Sequence, residues 1–302
     1  MDPPGSSGLA SEIRGRLLID RYSSILTHLP VRRQAALGEP GSLDAEIWNV
    51  FRTLAQLDPR TWVPRLLSLG RIGRTPETAE LSAGIGLTLW KRVKPPPERL
   101  VWLRKRALSG ELRPPVGRRR KGRVIPLSEL RSELRERARR RLPLEDPVEV
   151  DVIVKCSRTV VFVEIPRSGQ APDDPAPSDS GRTHLLRLID AGLSYAESRS
   201  RAHRGRVGFA LLILPSSPEA AEAWARAARP FTLRPAGLRR VLPHRGSDFD
   251  PGARLDGVGT GSWSEMRDLL SDLRRRSQDP LEMALLDRLL HRGMRVEAPA
   301  AI

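Results

Sequence analysis

The feature that most constrains this chain is a pair of β-branched runs lying three residues apart. Val148 to Lys155 (VEVDVIVK) and Thr159 to Ile165 (TVVFVEI) flank Cys156-Ser157-Arg158. Such runs joined by so short a connection form a hairpin. Both are nearly continuous in apolar residues, as strands covered on both faces are. Each nevertheless carries one acid, Asp151 in the first run and Glu164 in the second. A tight turn at Ser157-Arg158 makes cross-strand residue numbers sum to 315 and sets Asp151 opposite Glu164. Directly opposed Cβ atoms lie ~5 Å apart, where like charges repel. Burying such a pair is tolerable if one carboxyl keeps its proton or a cation sits between them. Mg²⁺ or Mn²⁺ suits oxygen ligands of this kind, taking one or two carboxylates and keeping several waters. The plainer alternative is that Glu164 marks the strand end and pairs with an arginine.

Other elements follow from periodicity and caps. A polar lead over residues 1–42 contains one helical stretch, with Ile13, Leu17, Leu18, Ile25 and Leu26 as its apolar positions. Ser42 opens a helix whose stripe is Leu43, Ile47, Val50, Phe51, Leu54 and Leu57, and Asp58-Pro59 ends it. Trp62 to Leu69 is a second amphipathic piece, and 80–93 could supply a strand. Pro95-Pro96-Pro97 breaks regular structure, and 114–123 (PPVGRRRKGR) reads as an exposed basic loop. Leu127, Leu130, Leu134 and Ala138 mark an arginine-rich helix. Past the hairpin come a Pro/Asp/Ser/Gly loop over 166–182, a helix containing Leu185 to Ala196, an apolar strand from Val207 to Leu214, and a helix opened by Ser217-Pro218. Residues 231–261 have few periodic signals. Capping boxes at Ser262/Glu265 and Asp279/Glu282 then start a helical hairpin. The expected organisation is an N-terminal helical extension (1–42), a core (43–230) that includes a basic segment (91–142), and a linker with the helical hairpin (231–302).

Charge narrows the function classes. The net charge is +16, and residues 91–142 hold 19 Lys+Arg against 5 Glu, so nearly all the excess sits in one sixth of the chain. A clustered positive field is the footprint of a polyanion, with nucleic acid the first candidate; a solvated helix and linker is the plain alternative. Arg118, Arg119, Arg120, Lys121 and Arg123 are the expected phosphate contacts. Only five of the 52 basic residues are lysine, a codon-usage signature of a GC-rich genome. One cysteine, Cys156, excludes an internal disulfide and a cysteine-built zinc site, and five scattered histidines give no metal-ligand spacing. No apolar stretch approaches the ~20 residues of a membrane span. With a Pro/Gly/Ser start, this leads to the expectation of a cytoplasmic protein without a membrane partner. Aromatics make up only 4% of the residues, which argues against a base-stacking platform.

The order helix, Asp strand, Glu strand, helix, strand resembles the PD-(D/E)XK nuclease-like superfamily, over about residues 43–215. Glu-Val-Asp (149–151) stands where that family has its Pro-Asp motif, and Val-Glu-Ile (163–165) where it has Glu-x-Lys. Glu46, in DAEIWNVFRTL, stands where many members place an acid on the first core helix. KPPPERLVWL (94–103) is similar to a Pro-Pro-x-Arg segment of some bacterial members. THLLRLIDAG (183–192) is similar to a Gln-x-x-Arg helix start, with His184 in place of Gln and Arg187 retained. The resemblance implies an α/β restriction-endonuclease-like core with a mixed sheet and helical additions at both ends. It also implies catalytic Asp151, Glu164 and Glu46, and Mg²⁺ or Mn²⁺ held by Glu46, Asp151, Glu164 and the Ile165 carbonyl. Nucleic acid is the implied partner, DNA ahead of RNA.

The family's lysine falls at Pro166, which has neither charge nor N–H and ends a strand. Arg167, Arg187 and Lys155 are the candidate substitute cations. Lys155 lies ~13 Å along the strand from Asp151, and arginine is a poor base. Three readings stay open at this level: a metal-dependent nuclease with a degenerate site, a nuclease-fold protein that binds nucleic acid or scaffolds a partner without cleaving, and a regulatory or assembly domain whose acids are structural.

Overall fold

The computed structural model describes residue 13 and residues 15–20, 23–112, 119–120, 123–167, 170–172, 182–233 and 235–292. Along the chain, α1 (Val31–Gly38), α2 (Leu43–Leu54), α3 (Pro59–Leu69) and α4 (Thr78–Ser82) precede the first strand, β1 (Gly86–Val93). Next come α5 (Pro97–Ser109), a small ribbon of β2 (Arg119–Arg120) and β3 (Arg123–Val124), and α6 (Leu127–Arg139). The expected hairpin is β4 (Val148–Lys155) and β5 (Thr159–Glu164), followed by α7 (His184–His203), β6 (Gly208–Ile213), α8 (Pro218–Leu233) and α9 (Leu238–Val241). The last elements are β7 (Leu255–Thr260), α10 (Trp263–Arg276) and α11 (Pro280–Arg292).

Five strands form one mixed sheet in the order β1-β4-β5-β6-β7. β4 runs antiparallel to both neighbours, while β5, β6 and β7 are mutually parallel. The fold is therefore mixed α/β, with helices on both faces. Val152, Val154, Val161, Val163, Ala210 and Leu212 pack with α2, α3, α10 and α11. Val150, Ile153, Val160, Phe162, Phe209 and Leu211 pack with α7, α8 and α9 on the other face. This double cover is why the strand sequences are oily throughout, each fully buried aliphatic side chain contributing about 1.5–3 kcal/mol. α7 comes so close to the sheet that a Cβ on Gly192 would stand 2.0 Å from the Phe209 ring. α5 and α6 form a separate small cluster through Leu103, Ala107, Leu134 and Ala138.

Several expectations change here. The single helical stretch expected in the lead is split: Ile13, Gly15 and Arg16 are helical and Leu17 N donates to the Ile13 carbonyl at 3.1 Å. Leu18 N then turns to Asn49 Oδ1 at 2.7 Å, and Ile25 and Leu26 lie in a separate 3-10 turn, Ser24–His28. The Pro95–Pro97 break is also a helix start, since Pro97 occupies the first turn of α5, where its missing N–H costs nothing. Asp58 both follows α2 and caps α3 by accepting from Arg60 N at 2.9 Å. β7 lies within the stretch read as a linker and completes the sheet. Its glycines mask its strand character, yet Gly259 is needed because a Cβ there would stand 2.1 Å from the Gly70 carbonyl oxygen. Of the basic loop, residues 113–118 and 121–122 lie outside the described residues.

Candidate functional site

The β4–β5 register is Val152↔Val163, Ile153↔Phe162, Val154↔Val161 and Lys155↔Val160, the pairing that the sequence demanded. One step further along the same register stand Asp151 and Glu164. Both are buried. Asp151 Oδ2 accepts from the Ile165 backbone N–H at 2.8 Å. Burial, reinforced by the Glu164 charge, pushes the Asp151 carboxyl well above its ordinary value. Glu164 Oε2 is buried with no hydrogen-bond partner among the described residues. Across from Asp151 on β1, Trp90 adopts a left-handed φ of 50°, and the β1–β4 pairing skips these two residues. A bulky residue at positive φ is a strained exception. Val150 and Val152 consequently pack on opposite faces of the sheet, and Asp151 sits at that break.

Arginines surround the pair. Arg33 of α1 is buried, and its Nη1 lies 2.5 Å from Asp44 Oδ2 while its other terminal nitrogen bonds Glu149. Its guanidinium also lies over Trp90, 4.8 Å from the ring centroid. Arg167 Nη2 lies 2.6 Å from Asp44 Oδ1. Burial works against the Arg167 charge, but Asp44, Asp151 and Glu164 together outweigh it and favour the charged form. Because β5 ends at Glu164, Pro166 and Arg167 leave the strand alternation, and Arg167 turns toward the acids.

The acid of the first core helix that joins this network is Asp44, not Glu46. Two residues on a helix are ~200° apart, so Glu46 faces elsewhere and accepts from Trp263 Nε1 of α10 at 3.1 Å. Arg187 is placed elsewhere. It bonds the Asp146 carbonyl at 2.6 Å and sits 3.7 Å from Glu145, within a different cluster. Lys155 occupies the turn end of β4 beside Gly86, away from the acids. Of the three candidate cations, Arg167 is the one whose charge interacts with both Asp151 and Glu164, while its direct ion pair is with Asp44. The basic residues Arg118 and Lys121 lie outside the described residues, and Arg119, Arg120 and Arg123 form the backbone of the β2–β3 ribbon, in which Arg120 pairs with Arg123.

One contact went unread in the sequence. His184, the first residue of α7, places Nε2 2.8 Å from Glu164 Oε1. Thr183 caps the helix beneath it, its Oγ1 accepting from Leu186 N at 3.3 Å. The signal was present as a polar residue at a helix start, but only the tertiary fold brings it to Glu164.

Among the described residues, no group of three or more His, Cys, Asp or Glu side chains is arranged to hold a metal ion. Asp44 cannot complete such a set as it stands, since both its oxygens are engaged by Arg33 and Arg167. What remains is a two-carboxylate set, Asp151 and Glu164, with an orphaned buried oxygen on Glu164. That set fits a hard divalent ion that takes one or two carboxylates and fills its remaining positions with water.

Comparison with protein-family models, curated proteins and solved structures finds no match to this chain. Among the described residues, no helix is long and apolar enough to cross a membrane.

Proposed function

We propose that the chain is a PD-(D/E)XK-like phosphodiesterase acting on nucleic acid with Mg²⁺ or Mn²⁺ at a degenerate site. The observation that carries this reading is the buried Asp151–Glu164 pair on adjacent strands, with Glu164 Oε2 left without a partner. The element order behind the resemblance supports it: α2 with an acid facing the pair, the Asp strand β4, the Glu strand β5, α7 and β6, all around one mixed sheet. Asp151 and Glu164 would hold the cation, which supplies Lewis-acid polarisation of a phosphoryl oxygen and a more acidic bound water. Arg167, whose side chain is 49% exposed, is placed to meet a phosphate oxygen and stabilise its charge, without acting as a base. The 91–142 segment supplies the wider phosphate-binding surface, with affinity that falls steeply as salt rises.

A second reading is favoured by Pro166 and by the engagement of Asp44 with two arginines. In it, the fold binds nucleic acid without cutting it. Incubating supercoiled plasmid with the protein and Mn²⁺ separates the two. Nicking by the wild type that disappears in Asp151→Ala supports the phosphodiesterase. Salt-sensitive binding with no nicking leaves the binding protein. Absence of binding at ~50 mM salt, where phosphate contacts are strong, overturns both.

A further inference from the structure

We infer that His184 is a positioning residue: it holds one oxygen of Glu164 so that the other stays available to a divalent cation. The inference deepens the phosphodiesterase reading and rests on it. Glu164 is the last residue of β5, where the sheet no longer fixes a long side chain on both sides. Among the described residues, its side-chain hydrogen-bond partner is His184, with Nε2 2.8 Å from Oε1, while Oε2 has none. To donate to a carboxylate, Nε2 must carry the ring proton. The imidazole thus occupies one oxygen and leaves its twin as the open ligand.

The ring itself is held from several directions. Its backbone begins α7 behind the Thr183 cap. Its edge meets the indole of Trp224, buried on α8, with centroids 6.2 Å apart and planes at 86°. Trp224 Nε1 donates in turn to the Gln170 carbonyl at 3.3 Å, and the Gln170 side chain accepts from Arg167 N at 3.3 Å. A closed circuit, Glu164–His184–Trp224–Gln170–Arg167, therefore spans Pro166. It ties the carboxylate before the proline to the backbone of Arg167 after it, whose guanidinium is held separately by Asp44. A lysine two residues beyond Glu164 is missing from this chain, and the circuit keeps the surviving groups in register without it. Partners that orient metal-binding side chains in this way are typically worth roughly 10–100-fold in metal affinity.

The test is calorimetric Mn²⁺ titration of the full chain as wild type, His184→Phe, His184→Gln and Asp151→Ala, with urea unfolding of each in EDTA. Phenylalanine keeps a ring against Trp224 and removes the donor, and glutamine restores a donor without the ring. The expected result is a roughly 10–100-fold weaker Mn²⁺ affinity in His184→Phe, little change in its metal-free stability, and recovery of most of the affinity in His184→Gln. Wild-type affinity in His184→Phe, with Asp151→Ala unable to bind, overturns the positioning role and leaves the metal reading standing. Equal loss in the Phe and Gln variants, in step with lowered stability, reduces His184 to packing and also overturns it. A wild type that binds no Mn²⁺ overturns both.

Discussion

Two buried ionic clusters in this molecule use the same residue types to opposite effect. In one, Glu145 and Asp190 are fully engaged. Glu145 takes Arg99 Nε at 3.1 Å on one oxygen and Arg182 on the other. Asp190 takes Arg182 at 2.6 Å and Arg245 at 2.5 Å, and His244 Nε2 lies 2.9 Å away. Burial alone would raise Asp190, but His244, Arg182 and Arg245 outweigh it and hold the carboxyl well below the usual range. The arginines bear the strain instead, Arg99 being pushed down to about 10 by burial and the neighbouring Arg182 charge. In the other cluster, Asp151 has one backbone N–H, Glu164 has one imidazole, and the net result is a raised Asp151. In the first cluster every carboxylate oxygen meets an arginine and the network ties α5, α7 and the chain after α9 together, its orphaned atoms being donors such as Arg182 Nε. In the second, the orphaned atom among the described residues is a carboxylate oxygen, Glu164 Oε2. Both are buried, so burial alone does not decide whether a carboxylate is fully paired or left with an open oxygen.

The largest expected contrast is in stability. Asp190→Ala leaves buried guanidiniums without their counter-charge and is expected to cost about 3–5 kcal/mol in urea unfolding. Asp151→Asn relieves repulsion with Glu164 and is expected to cost nothing at neutral pH. Equal losses in the two variants would break the comparison. Next comes added metal: Mn²⁺ at a hundredfold excess over its dissociation constant is expected to stabilise the wild type by about 2.7 kcal/mol and to leave Asp151→Asn unmoved.

The pH responses should have opposite signs. Asp151 has a folded pKa above its ordinary 3.8, so its contribution is fully present below 3.8 and is lost as pH rises through the elevated folded value. Asp190 has a depressed folded pKa, so its contribution is present above 3.8 and is lost as pH falls toward that depressed value. Unfolding midpoints from acid to neutral pH, for the wild type and for each Asp→Asn variant, check both slopes. Arg167→Gln is expected to change stability by no more than ~1 kcal/mol because the side chain is half in solvent. Any nicking activity should nevertheless drop sharply, and a variant that cuts as well as the wild type would remove Arg167 from the site.

The hairpin, its register and the double-sided cover were legible because strand period and turn length are local properties, and the two acids stood out against valine and isoleucine. Asp44 was harder. Asp44, Ile47, Phe51 and Leu54 share helical spacing, but α2 is buried on most sides, between the sheet and the C-terminal helices, so its periodicity barely distinguishes Asp44 from Glu46. The partner of Glu46, Trp263, is 217 residues away. By strand parity Arg167 points away from the acids unless Pro166 turns the chain, and the strand does end at Glu164, before the proline. β7 was missed because its glycines, required by the close approach of Gly70, lower its strand propensity. In the sequence His184 stands only as a substitute for glutamine at a helix start. Its role depends on α7 crossing over to the end of β5, which no local pattern encodes.

The tight seat of α7 on the sheet reaches further than packing. Gly192 lies eight residues beyond His184, ~12 Å along the same rigid rod. A single methyl group there would meet the Phe209 ring, and the rod would have to lift or tilt to make room. The imidazole at its tip would travel with it. A position bearing no functional atom thus acts as the fulcrum for the alignment of Glu164, and damage to that alignment can originate deep in the hydrocarbon interior.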